Sequence, residues 1–276
     1  MRSSARLRRW LLLALLWGVA LLFLIPLLWM LSSSLKPTWQ IFEMPPRWLP
    51  DPPRWENYRE ALTTLPFGLY LRNTTVITLL TIVGHLLSCT LVAYAFARLR
   101  APGRDTLFVV MLATLMLPYP VTMTPLYVIF HRLGWINTFL PLTVPAFLGS
   151  PFYIFLLRQF FLTIPRDFED AARIDGANIV QILAWVIVPM VAPALATVTL
   201  FTFQASWNDF LAPLIYLQRP DLYTVTLGLQ FFRSTYTTNW AYLMAASLAT
   251  MLPVIAVFFA AQRYFLAGIS LAGIKG

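Results

Sequence analysis

The most charged segment in the later part of this 276-residue sequence reads P-R-D-F-E-D-A-A-R-I-D-G and spans positions 165–176. The carboxylates of Asp167, Glu169 and Asp170 fall in the first turns of a predicted helix, where the positive end of the helix dipole stabilises negative charge. Two long apolar runs without any charged residue flank this segment. The pattern therefore predicts a short polar excursion between two membrane spans.

The same segment predicts two helices with a bend between them. Pro165 suits a first helical position, and Gly176 permits the left-handed residue that ends a helix. Asn178 followed by Gln181 has the spacing of a capping box for the next helix. One face of the first helix is small enough for close approach by another protein, and it is formed by Phe168, Ala171, Ala172 and Asp175.

Other side chains could contact a ligand. Trp207, Asn208 and Asp209 combine an aromatic face with an amide and a carboxylate, which suits stacking on and hydrogen bonding to a sugar, although Trp207 fits an interfacial anchor equally well. His85 lies within an uncharged apolar run, where a histidine more often bridges two helices than binds a ligand. His131 has no second His or Cys at metal-ligand spacing, so no metal site is predicted.

Composition excludes several classes of protein. Hydrophobic residues make up 59% of the sequence and charged residues 11%, against about 25% charged in soluble domains, which indicates an integral membrane protein. The net charge of +9 comes from basic residues scattered between apolar runs, so no nucleic-acid partner is predicted. Cys89 is the single cysteine, which rules out a disulfide within the chain.

The elements that must position these residues are six predicted membrane spans. They form an all-α, polytopic, single transmembrane domain over residues 1–276, with spans at about 10–31, 73–97, 106–130, 139–157, 179–206 and 241–261. The polar segment 158–178 joins the fourth span to the fifth, and a short helix is predicted in the first external loop at Trp55–Leu62. The outer half of the third span contains Pro118, Pro120 and Pro125, so we expect it to be bent and buried in protein.

Lys and Arg are concentrated on one side of this topology. The N-terminus, the 98–104 loop, the 158–173 loop and the C-terminus hold more of them than the longer loops on the other side. By the positive-inside rule, both termini and the 158–178 loop are cytoplasmic. The six predicted spans contain no Asp, Glu, Lys or Arg, which argues against a proton-driven carrier and an intramembrane hydrolase.

The segment D-A-A-R-I-D-G, nine further residues and then V-I-V-P resembles the conserved cytoplasmic loop (EAA motif) of the permease subunits of ABC importers. Asp170 stands at the Glu position of that motif with Glu169 adjacent, Ala171 and Ala172 at the alanines, and Gly176 at the glycine. Val186, Val188 and Pro189 match its final aliphatic residues and proline. The A-R-I-D-G-A form, together with F-T-F-Q-A-S-W-N-D-F at 201–210 and the closing G-I-K-G, is most similar to the carbohydrate-uptake branch, the relatives of the maltose permease.

The resemblance implies that residues 1–276 form a single permease domain with the ABC importer type I fold in the cell inner (plasma) membrane. It also implies transport of a sugar or oligosaccharide. Its implied partners are a second homologous permease, a dimer of ABC ATPases, an extracytoplasmic solute-binding protein and membrane lipid. The residues that would then contact or position the ATPases are Glu169, Asp170, Ala171, Ala172, Asp175, Gly176, Val186, Pro189 and Lys275. No G-x-x-x-x-G-K-[ST] motif occurs, so the chain is not expected to bind ATP phosphates itself. The resemblance implies that the chain is not an enzyme and that the partner ATPases bind ATP and Mg. An ion-coupled transporter and a non-transporting membrane scaffold remain the alternatives.

Overall fold

The computed structural model describes residues 2–233 and 239–272, with the side chains of residues 8–233 and 239–262. Helices form nearly all of the regular structure in this part of the chain, which confirms the all-α prediction. In chain order they are α1 (Arg2–Ser34), α2 (Thr38–Ile41), α3 (Glu56–Thr64), α4 (Phe67–Arg98), α5 (Arg104–Ala113), α6 (Tyr119–Arg132), α7 (Leu140–Thr143), α8 (Pro151–Thr163), α9 (Asp167–Ile174), α10 (Ile179–Gln181), α11 (Val188–Met190), α12 (Ala192–Trp207), α13 (Leu211–Tyr216), α14 (Val225–Gln230) and α15 (Trp240–Ala272).

The described residues contain four helical segments long and apolar enough to cross a membrane: Arg8–Ser34, Phe67–Arg98, Leu140–Thr163 and Trp240–Gln262. Two bent pairs bring the number to six if each pair crosses as one span: α5 with the short 3-10 turn Thr114–Met116 and α6, and α10 to α11 with α12. The chain is therefore a polytopic helical membrane protein. The six-span arrangement itself stays a prediction.

The third predicted span is bent, but it is not buried within this chain. Its two helices meet at 100°, and Pro118, which cannot donate a backbone hydrogen bond, lies at the break. The side chains from Leu115 to Tyr119 are exposed, and Met116 is 84% exposed. The expectation of burial is therefore wrong for the subunit by itself.

The fifth predicted span is also broken, which the sequence reading did not anticipate. Residues Ile182–Ile187 form a π-helical turn, and the segment then bends by 81° between Met190 and Ala192. Pro189 has no N–H to donate to the carbonyl of Trp185, so one normal helical hydrogen bond is lost here. Pro193 lies in the first turn of α12, where a backbone N–H would have no helical acceptor, so it suits the start of the new helix.

One compact unit comprises Met1–Gly68 and Gly228–Leu252. In it, the loop after α1 is built on buried polar groups: Asn57 donates to the carbonyls of Ser34 and Lys36 at 2.9 Å each, and Tyr58 bonds the Ser34 hydroxyl at 2.8 Å. The Lys36 ammonium lies 4.2 Å from the ring centre of Trp29. The predicted short helix of this loop is α3, shifted by one or two residues.

The second unit, Leu69–Leu227 and Pro253–Gly276, holds the main core. Along α4, the small side chains of Cys89, Ala93 and Ala97 recur every four residues and let α8 and the 182–198 segment pack closely. At Gly84 the approach is tighter still, since an added Cβ would lie 3.0 Å from the backbone of Ala146. These contacts hold α4 against α8, which precedes α9 in the chain, and against the 182–198 segment, which follows it.

Candidate functional site

The helix α9 ends in a hydrogen-bonded glycine turn. Gly176 has φ +84°, its N–H donates to the carbonyl of Arg173 at 3.0 Å, and the N–H of Ala177 donates to the carbonyl of Ala172 at 2.9 Å. These two bonds form a Schellman motif, which satisfies carbonyls that a helix end would otherwise leave unpaired. The glycine stop predicted from the sequence is confirmed. The start differs, because α9 begins at Asp167 and Pro165 lies before its N-cap.

The next helix begins with the predicted capping box. The side chain of Asn178 accepts from the N–H groups of Val180 and Gln181 at 3.0 Å each, and the Gln181 side chain accepts from the N–H of Asn178 at 2.8 Å. Only Ala177 separates this cap from the turn at Gly176. The direction in which the chain leaves α9 is therefore set by two consecutive local motifs.

Glu169 is the carboxylate that ties α9 to the membrane helices. Its Oε1 lies 2.8 Å from Nε of Arg98 at the end of α4, and the side chains are only 4% and 5% exposed. The guanidinium also donates to the carbonyls of Phe161 and Ile164 at 2.7 and 2.6 Å, at the end of α8. The Tyr94 hydroxyl lies 3.5 Å from the other carboxylate oxygen. One buried arginine thus joins α4, α8 and α9.

Asp170, which the motif alignment placed at the acidic position, lies on the surface. Its side chain is 62% exposed and pairs with Arg173 one turn along at 3.1 Å. The sequence reading missed Arg98 and Tyr94 as partners of this segment. The sequence feature that could have indicated them is a pair of polar side chains four residues apart at the end of an apolar run, in Y-A-F-A-R.

The opposite face of α9 is uncovered. Phe168, Ala171 and Asp175 are exposed, Ala172 is partly buried against the core, and Ile174 is 87% exposed. An exposed apolar face beside a fixed carboxylate anchor is a typical surface for a protein partner.

Val186 and Pro189 lie in the helix that follows. Val186 is half-buried within the π-helical turn, whose residues Ile182, Leu183 and Ile187 belong to the core. Pro189 is exposed at the bend. Both residues shape this segment, while Lys275 lies outside the described residues.

His85 and Asp209 line one cavity of about 190 Å³, which we name the His85 cavity. His85 bridges helices, as the sequence reading favoured: its Nδ1 lies 3.1 Å from the hydroxyl of Thr202 on α12, and the ring of Tyr153 meets it edge-on at 4.9 Å. Further polar side chains of the lining include Thr74, Thr81, Ser206 and Thr224.

Trp207 and Asn208 are not part of this cavity. The Trp207 ring is buried and stacks on Phe203 at 5.2 Å, and the Asn208 amide is exposed and donates to the carbonyl of Gln204 at 2.8 Å. Asp209 follows the end of α12, and burial raises the pKa of its carboxyl although the backbone N–H groups of Ala212 and Leu211 donate to it. The three neighbouring residues therefore have three different environments.

No cluster of three or more His, Cys, Asp or Glu side chains in metal-binding geometry occurs within the described residues.

Comparison with known proteins places these features in a wider group. Residues 89–270 match the family described as "Binding-protein-dependent transport system inner membrane component". The arabinooligosaccharides transport system permease protein of Halalkalibacterium halodurans is 32% identical over 263 residues, which cover 94% of this chain and 93% of that protein. The diacetylchitobiose uptake system permease protein of Streptomyces coelicolor is 35% identical over 262 residues, covering 94% and 85%.

The fold is similar to a chain in the crystal structure of a bacterial ABC transporter involved in the import of the acidic polysaccharide alginate. The TM-score is 0.84 at 26% sequence identity, over 95% of this chain and 98% of that one.

Proposed function

Because this chain belongs to the family of binding-protein-dependent transport system inner membrane components, we propose that it is one of two transmembrane permease subunits of an ATP-driven importer for an oligosaccharide. The relatives named for arabinooligosaccharides and diacetylchitobiose support a carbohydrate as the substrate class. The observation that carries the proposal is α9, a capped helix that is anchored by Glu169 and exposes its other face.

The helix α9 couples the membrane helices to the ATPases. A pair of ATPase subunits, which bind ATP and Mg, docks on Phe168, Ala171, Ala172 and Asp175, with Asp170 beside them. When the ATPases move, the displacement passes through Glu169 to Arg98, and from Arg98 to the ends of α4 and α8. Gly176, Val186 and Pro189 set the direction of the chain after α9, so they control how the same displacement reaches α12.

The second permease subunit and lipid cover the apolar surfaces that this chain leaves open. Along α1, the side chains from Arg8 to Leu24 are exposed, and so is the bend at Leu115–Tyr119. An unpaired run of large apolar side chains is stable only in lipid or against another protein.

The orientation follows from the distribution of basic residues. Both termini and α9 face the cytoplasm of a cell inner membrane, and the loops after α1 and α12 face the extracytoplasmic binding protein. The C-terminal segment, including Lys275, then lies on the ATPase side. His85 and Asp209 are the side chains of this subunit nearest to a substrate path, because they share a cavity lined with hydroxyl groups.

Reconstituted transport tests the proposal. The chain is assembled in proteoliposomes with its second permease and ATPase subunits, and uptake of labelled arabino-oligosaccharide, diacetylchitobiose and alginate oligosaccharide is measured. We expect uptake of at least one of them to require the binding protein and ATP hydrolysis, and to be insensitive to ionophores. A non-hydrolysable ATP analogue is the matched control.

Two outcomes would contradict this function. Uptake that persists without ATP and collapses with the ion gradient would identify an ion-coupled transporter. Assembly with the ATPases but no uptake of any of the three saccharides would indicate a scaffold or another substrate class.

A further inference from the structure

One face of α4 carries a regular polar seam. Thr74, Thr78, Thr81, His85 and Ser88 recur at alternating spacings of four and three residues, so they share one side of the helix. This spacing is usual for an apolar contact stripe, and in a membrane helix polar side chains on such a stripe face the bundle interior or a cavity.

Each residue of the seam is bonded to a different part of the chain. The Val225 N–H donates to Thr74 at 2.9 Å, Thr78 bonds Ser206 at 3.2 Å, and Thr81 donates to the Leu142 carbonyl at 3.2 Å. Farther along, His85 bonds Thr202, and Ser88 donates to the Ala146 carbonyl at 2.8 Å. These bonds hold the seam residues in fixed positions.

The seam opens into the His85 cavity. A volume of about 190 Å³ accommodates one sugar ring, and it is below the range of about 300–1,000 Å³ that is usual for drug-sized ligands. Hydroxyl, imidazole and carboxylate groups line it together with the aromatic ring of Tyr153. Apolar surface with a few fixed polar groups is typical of a small-ligand site.

Several polar groups that line the cavity can still form hydrogen bonds to a ligand. Thr81 already donates its hydroxyl hydrogen to backbone carbonyls, which leaves its oxygen as an acceptor. The second ring nitrogen of His85 makes no hydrogen bond to the described residues. Asp209 accepts from two backbone N–H groups, and a carboxylate has about four acceptor positions. Within the described part of the chain, no Lys or Arg lies in ion-pair distance of Asp209.

We propose that the His85 cavity binds one sugar ring of the transported oligosaccharide, so that this subunit carries a substrate subsite of its own. Asp209 accepts hydrogen bonds from ring hydroxyls, the second nitrogen of His85 bonds a further hydroxyl, and Tyr153 packs against the C–H face of the ring. This inference rests on the proposed function and adds the position, size and chemistry of one subsite.

Protection of an introduced cysteine tests the subsite. Ala205 lines the cavity, and Cys89, the natural cysteine, is buried. The Ala205→Cys variant is assembled in the full transporter and treated with a methanethiosulfonate reagent, and the mass of this subunit reports the modification rate. We expect the saccharide that the wild type transports to slow modification at least about tenfold in the absence of ATP.

Matched variants separate binding in the cavity from a general effect. Ala192→Cys, exposed on the same helix outside the cavity, should show no protection, and glycerol at equal hydroxyl concentration should not protect Ala205→Cys. A second substitution in the Ala205→Cys protein, either Asp209→Asn or His85→Asn, should remove the protection by the saccharide. Adding Ser88→Ala, in the seam but outside the cavity, should preserve it.

The result that overturns the subsite is a complex that transports the saccharide yet shows no protection at Ala205→Cys. Equal protection at Ala192→Cys, or full protection in both the Asp209→Asn and His85→Asn backgrounds, overturns it as well. A complex that transports none of the saccharides refutes the proposed function instead, so the two failures are distinguishable.

Discussion

Removing the carboxylate of Glu169 is the sharpest perturbation of α9. The side chains of Glu169 and Arg98 are 4% and 5% exposed, so Glu169→Ala leaves a guanidinium buried without its counter-charge. Breaking a buried pair in this way costs about 3–5 kcal/mol. Arg98 keeps its bonds to the Phe161 and Ile164 carbonyls, which favours the lower end of that range.

Hydrogen exchange along α9 measures this loss directly. About 3 kcal/mol corresponds to roughly a hundredfold change in a local opening equilibrium. We therefore expect amide exchange in Asp167–Ile174 to accelerate about a hundredfold in Glu169→Ala, while the α4 amides near Ala93, deep in the core, keep their protection.

Asp170→Asn is the matched control. It removes the neighbouring carboxylate, whose pair with Arg173 is exposed, and such surface pairs contribute about 0–1 kcal/mol. We expect its exchange to change less than about fivefold. Equal acceleration in the two variants, or less than tenfold acceleration in Glu169→Ala, would refute the anchoring role of Glu169.

Three further predictions concern other parts of the chain. Gly176→Val should leave assembly with the ATPases intact but reduce uptake. Nothing lies within 4 Å of the new Cβ, but φ +84° strains the backbone of a β-branched residue by about 1–3 kcal/mol. Normal uptake together with normal substrate-stimulated ATPase activity would contradict this prediction. Gly84→Ala should destabilise the subunit by about 1–3 kcal/mol in thermal unfolding, since the new Cβ would lie 2.9 Å from Phe147 and 3.0 Å from Ala146. Gly68→Ala in the same helix is the control and should not destabilise it, because nothing lies within 4 Å of that Cβ. Equal stability of the two variants would refute the packing argument. Deleting residues 273–276, which include Lys275, should weaken copurification of the ATPases or the coupling of ATP hydrolysis to uptake, and wild-type values of both would show that this tail is dispensable.

The sequence by itself determined the features that depend on neighbouring residues. Long uncharged apolar runs indicate a membrane protein, and Gly176 followed by Asn178 and Gln181 indicates a helix stop and a new helix start. The break near Pro118 follows from a missing N–H. Each of these consequences acts within a few residues of its cause, so no knowledge of distant contacts is needed.

Tertiary structure decided which of two adjacent carboxylates is the anchor. Successive residues of a helix point about 100° apart, so Glu169 and Asp170 cannot both face the core. The choice depends on Arg98, which α4 brings to this place, and no local pattern specifies that meeting. Packing likewise brought His85 of α4 and Asp209, beyond the end of α12, to one cavity, because residues so far apart in the sequence meet only when their helices pack together.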